Sequence, residues 1–108
     1  MKFFSLSTCD TCRKALKALR AAGHMPEVID IRKDGISPED QARILRAFGK
    51  KALNRASATW RGLDEVARAL PEAELLASYP TLMKRPVILA NGVWHQGWSK
   101  AVQAQLLE

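Results

Sequence analysis

Two cysteines separated by two residues, Cys9-Asp10-Thr11-Cys12, are the only thiols in the chain. They stand where a short apolar run gives way to helical spacing. A thiol at a helix N-terminus faces unpaired backbone N–H groups and the positive end of the helix dipole. Both stabilise the thiolate and lower its pKa from about 8.5, in favourable cases to 7 or below. A second thiol one helical turn further on is placed to attack a mixed disulfide formed on the first. The spacing therefore predicts Cys9 as the nucleophile and Cys12 as the resolving thiol of a redox site. Two other readings fit the same residues. A C-x-x-C pair is half of a zinc site, but His24 and His95 show no ligand spacing that would complete it. Two chemically idle core cysteines are the third reading.

Arg85 directly precedes Pro86, which opens the apolar run Pro86–Ala90. Proline is the residue that tolerates a cis peptide, and it is accepted at the first position of a strand. A guanidinium beside a thiolate lowers the thiol pKa and binds a carboxylate or oxyanion in bidentate fashion. A solvated arginine ahead of an edge proline is the alternative. Arg13, at the start of the first helix, either shields the thiolate or is simply solvated. Arg55 lies in a basic stretch, Lys50–Arg61, whose pattern is unclear. Trp60, Trp94 and Trp98 serve either as core residues or as surface stackers.

The elements that must hold these residues follow from periodicity and punctuation. Lys2–Leu6 is a short aromatic run that predicts a buried strand. From Cys12 onward Ala15, Leu16, Leu19 and Ala22 share one helical face, Arg13, Lys14, Lys17 and Arg20 the other, and Gly23 ends the helix. Glu27–Ile31 is a second strand, followed by the turn signal Lys33-Asp34-Gly35. Ser37 and Pro38 suit the N-cap and first position of a helix with Ile44, Leu45 and Phe48 on its apolar face. Leu63–Leu70 and Pro71–Ala77 predict two further helices. Pro86–Ala90, the turn Asn91-Gly92 and Val93–Gln96 read as a hairpin. Ser99 caps a last helix carrying Val102 and Leu106. A strand-helix-strand start implies a parallel pair with a right-handed crossover. The order β-α-β, helical insertion, β-β-α predicts an α/β fold with a mixed four-stranded, thioredoxin-like sheet.

Composition limits the classes. The 108 residues suffice for one domain, and with 47% hydrophobic residues a packed core is expected. No apolar run approaches the roughly 18 residues that span a bilayer, and the N-terminus lacks a secretory apolar stretch. The expected protein is cytoplasmic, membrane-free and monomeric. A net charge of +6 favours an anionic partner. No Gly/aromatic RNA-binding signature accompanies it, so a small anionic substrate is preferred to nucleic acid.

Four segments taken together resemble the arsenate reductase family of thioredoxin-like proteins, of the glutaredoxin-linked type. They are Cys9-Asp10-Thr11-Cys12-Arg13-Lys14-Ala15, Arg32-Lys33-Asp34-Gly35, Leu53-Asn54-Arg55 with Thr59-Trp60-Arg61, and Leu82-Met83-Lys84-Arg85-Pro86-Val87-Ile88. Within the family the chain is most similar to the branch of small Spx- and YffB-like proteins. The resemblance implies one domain over residues 1–108 with a helical insertion at about 37–82. It implies a catalytic cysteine at Cys9, oxyanion-binding arginines at Arg55 and Arg85, and a cis-proline at Pro86 beside the redox cysteine. It implies no tightly bound cofactor and no metal, with glutathione as co-substrate and glutaredoxin as a possible partner. Family arsenate reductases carry a further arginine after the last hairpin. Here that stretch reads His95-Gln96-Gly97-Trp98-Ser99, which argues against arsenate as substrate. The YffB-like branch implies a glutathione-dependent thiol reductase. The Spx-like branch implies instead a redox-sensing regulator that binds RNA polymerase.

Overall fold

The computed structural model describes residues 1–107. The chain forms two compact units, one of Met1–Ile31 with the chain from Arg85 onward, the other of Arg32–Lys84.

The first unit is a four-stranded sheet with two helices. Its strands are β1 (Lys2–Ser5), β2 (Glu27–Asp30), β3 (Val87–Ala90) and β4 (Val93–Gln96), in the order β2-β1-β3-β4. β1 pairs parallel with β2 and antiparallel with β3, and β3 pairs antiparallel with β4. The helices are α1 (Asp10–Ala21) and α6 (Lys100–Leu107). This is the expected thioredoxin-like arrangement. The β3–β4 hairpin turns on Asn91 and Gly92 at φ 51° and 77°. Two positive φ values define the turn whose twist matches the strands, and Asn-Gly is its favoured sequence. By register, Phe3, Ile88 and His95 share one face of the sheet. On that face Phe3, Cys12, Ala15, Leu19, Ile88, Ala90 and Leu106 form a buried cluster. Burying side chains the size of Phe3, Leu19 and Ile88 contributes about 1.5–3 kcal/mol each.

The second unit is helical: α2 (Pro38–Phe48), α3 (Ala58–Arg61), α4 (Glu65–Arg68) and α5 (Glu72–Ser78), with 3₁₀ turns at Gly49–Ala52 and Pro80–Leu82. Ser37 caps α2 by accepting the Asp40 N–H at 3.2 Å, with Pro38 at the first turn. α2 packs against α5, and Ile44, Leu75 and Leu76 are buried. The segment bounded by Leu63 and Leu70 is helical for only one turn. Asp64 caps α4 through the Ala67 N–H at 2.8 Å, and Pro71 follows closely. A residue before proline is driven out of the helical region, so this helix cannot lengthen.

Candidate active site

α1 begins at Asp10, earlier than the apolar spacing from Cys12 suggests, and this makes Cys9 the N-cap residue. Its backbone is extended, with φ −90° and ψ 115°, and its Sγ accepts the Cys12 N–H at 3.4 Å. The Cys9 N–H donates to the Leu6 carbonyl at 2.9 Å, which holds the turn between strand and helix. The sulfur thus takes the place that a serine or aspartate oxygen usually takes at a cap. Partial burial by itself would raise the Cys9 pKa. The Cys12 N–H, the Cys12 thiol and the neighbouring Arg85 guanidinium together outweigh burial, and the thiol lies below its ordinary value.

Cys12 has the opposite environment. It is 2% exposed and belongs to the buried cluster. Burial is the main cause that pushes its thiol up to about 12, and the neighbouring Cys9 adds to the rise. A neutral Cys12 thiol donates a hydrogen bond to a Cys9 thiolate. Both cysteines are free thiols.

Arg85 reaches Cys9 because of where β3 starts. Phe4 pairs with Val87, and Val87 with Gln96. The C-terminal ends of β1 and β4 and the N-terminal end of β3 therefore lie at one end of the sheet. Cys9 follows the first of these, and Arg85 and Pro86 precede the third. The Arg85–Pro86 peptide is cis. Pro86 lies just ahead of β3 rather than within it, and its carbonyl accepts the Gly97 N–H at 2.8 Å. The structure brings together Cys9, Cys12 and Arg85, with Pro86 next to Arg85 along the chain.

Arg13 is placed differently. On the exposed first turn of α1 it bonds and ion-pairs with Asp10. Arg13 keeps the Asp10 carboxyl below its usual range, and so offsets a negative charge next to the Cys9 thiolate. Arg55 belongs to the helical unit. Its guanidinium lies over the Trp60 ring at 5.3 Å, donates to the Lys50 carbonyl at 3.2 Å and pairs with Glu72 at 3.9 Å. The sequence carries no signal that marks Trp60 as the partner of Arg55. The contact of the Cys12 N–H with the Cys9 sulfur, by contrast, has its cue in a cysteine placed just before a helix. Among the described residues no three His, Cys, Asp or Glu side chains are grouped to hold a metal ion. Nor does any helix among them have the length and apolarity to cross a membrane.

Comparison with known proteins gives a consistent result. A protein from Haemophilus influenzae is 38% identical over 94 residues, covering 82% of each chain. The solved structure of the YFFB protein superposes with a TM-score of 0.88 at 32% identity, covering 99% of this chain and 98% of that one. An arsenate reductase (ArsC) related protein from Brucella melitensis superposes with a TM-score of 0.72 at 30% identity, covering 95% of this chain and 91% of that one. The model of the ArsC family matches residues 4–105, and the chain belongs to the ArsC family.

Proposed function

We propose that this protein is a thiol–disulfide oxidoreductase that uses Cys9 as nucleophile and glutathione as co-substrate. The observation that carries the reading is the Cys9 sulfur at the N-cap of α1, where the Cys12 N–H and Arg85 hold its thiol below the ordinary pKa. The Cys9 thiolate attacks one sulfur of a disulfide, the S–S bond breaks, and the other sulfur leaves as a thiolate. Arg85 stabilises the attacking thiolate and receives an anionic group of the substrate, such as a glutathione carboxylate. Arg55 is assigned to anion binding within the helical unit, with a guanidinium already oriented by Trp60.

Resolution of the resulting mixed disulfide is assigned to an external thiol. Cys12 has the spacing of a resolving cysteine, but its sulfur is buried and its proton is hard to remove. Its part is to donate its N–H and S–H to Cys9. The test is turnover of a glutathione mixed disulfide by wild type, Cys9→Ser and Cys12→Ser, with mass analysis of the trapped intermediate. Cys9→Ser is expected to lose turnover entirely. Cys12→Ser, which keeps a hydroxyl donor and the N–H, is expected to slow but continue, with one glutathione held on Cys9. A Cys12→Ser protein as inactive as Cys9→Ser, with an internal disulfide in oxidised wild type, would overturn external resolution.

A further inference from the structure

The strand ends that frame Cys9 also deliver an aromatic residue there. β4 ends at Gln96 beside Val87, at the end of the sheet from which Cys9 and Pro86 are reached. Gly97 takes φ 81°, a value that favours glycine, and its N–H is bound to the Pro86 carbonyl. The chain therefore turns immediately before Trp98. On its other side the Trp98 carbonyl accepts Gln103 Nε2 at 3.1 Å, and Ser99 Oγ caps α6 through the Val102 N–H at 3.2 Å. The Trp98 backbone is fixed from both directions. Its indole is only partly buried, and it packs on the same cluster of Phe3, Cys12 and Ile88 against which Cys9 packs. A partly exposed aromatic residue thus stands at the nucleophile's end of the sheet.

The charges at this end leave room for such a role. Arg85 faces the Cys9 thiol, whereas Arg13 is occupied by Asp10. His95 lies on β4 on the face of Ile88, and burial biases it towards the neutral form. Arg85 and the Trp98 side chain at this end suit a substrate that carries an anionic group on an apolar body.

We propose that Trp98 is a specificity-determining residue that stacks on the apolar or aromatic body of an organic disulfide while Cys9 attacks its sulfur. The proposal rests on Cys9 being the nucleophile. In the step concerned, the Cys9 thiolate forms a bond to the sulfur that bears the stacked group. The substrate S–S bond breaks, and its second sulfur departs with the electron pair as a thiolate. No outside oxidant or reductant enters.

The test measures single-turnover rate constants of the reduced protein with a neutral diaryl disulfide and with bis(2-hydroxyethyl) disulfide. Wild type is compared with Trp98→Ala, Trp98→Leu and Trp98→Phe. Comparing aryl-to-alkyl ratios between proteins cancels the better leaving group of the aryl reagent. Losing an aromatic contact is expected to lower that ratio about 3–10-fold in Trp98→Ala. Trp98→Leu, which still covers the core cluster, is expected to show the same fall, and Trp98→Phe to restore most of it. The alkyl rate constant should stay the same throughout. An unchanged ratio on a reactive Cys9, or equal falls in both rate constants, overturns the role of Trp98 alone. If wild-type Cys9 reacts with neither disulfide faster than free glutathione at equal thiolate fraction, the nucleophile reading falls and takes this one with it.

Discussion

The sheet unit and the helical unit are held together by different means. In the sheet unit, strands distant in sequence are joined by ladders, and Phe3, Ile88 and Leu106 meet in one buried cluster. In the helical unit, α3 and α4 are single turns fastened by nearby side chains. Ser57 Oγ accepts the Trp60 N–H at 3.2 Å, and Arg61 donates to the Ala56 carbonyl at 2.8 Å. Arg68 donates to the carbonyls of Trp60 and Arg61 at 3.3 and 3.2 Å. A single helical turn does not persist on its own, so these contacts decide whether it forms. The difference bears on function. Arg85 and Pro86, just ahead of β3, and Cys9, held by a turn after β1, take their relative positions from laddered strands. Arg55 is oriented by a cation–π contact and a partly exposed ion pair. Such contacts are worth about 1 kcal/mol or less each, so this orientation is held only weakly.

The strongest way to break this contrast is to damage the long-range core. Phe3 is fully buried and shares the cluster with residues from both ends of the chain. Phe3→Ala should cost about 3–5 kcal/mol, from lost transfer energy and the cavity left behind. That is a large share of the 5–15 kcal/mol that typically stabilises a domain. Urea denaturation followed by circular dichroism measures it. A loss below about 2 kcal/mol would show that the cluster does not dominate the sheet unit.

The same contrast explains what the sequence made legible. The strands, the Asn91-Gly92 hairpin, the Ser37 and Ser99 caps and the Cys9-to-Cys12 turn were readable because each is marked by residue types at fixed spacing. The unclear stretch from Lys50 to Arg61 resolves into a 3₁₀ turn, a loop and one helical turn. Its order comes from contacts such as Arg55 on Trp60, which have no period to read. The expected helix over Leu63–Leu70 is present but shorter, for a related reason. Apolar residues marked it, but Asp64 and Pro71 confine it to one turn. At the site, the spacing predicted a nucleophile and a resolving partner. The unequal thiols depend on burial of Cys12 in the cluster, a three-dimensional property that two residues of spacing do not encode.

That inequality gives the sheet unit a pH dependence of its own. The ordinary value for the Cys12 thiol is 9.0, and in the folded protein it is pushed up to about 12. The neutral thiol therefore stabilises the fold fully below pH 9, and that stability is lost as pH rises through about 12. Once the unfolded thiol is ionised, the loss is about 1.4 kcal/mol per pH unit. Cys9 acts in the opposite sense. Its lowered thiol adds stability above the ordinary value, and this is lost as pH falls through the folded value. Stability measured by denaturation between pH 8 and 11 should thus fall more steeply in wild type than in Cys12→Ala. The comparison removes contributions that both proteins share. Equal slopes would mean that Cys12 ionises freely, and would reopen its assignment as the resolving thiol.

The smallest expected effect lies in the helical unit. Ser57 is the N-cap of α3, with φ −75° and ψ 159°, and its Oγ accepts the Trp60 N–H. Removing a serine cap costs about 0.5–2 kcal/mol. Loosening α3 releases the Trp60 ring, and with it the surface on which Arg55 rests. Ser57→Ala is therefore expected to lower global stability by about 1 kcal/mol while leaving the pH dependence of Cys9 alkylation unchanged. A shift in the Cys9 alkylation profile would show instead that the thiol depends on the order of α3, and the contrast between ladder-held and cap-held residues would no longer separate the chemistry from its accessory cation.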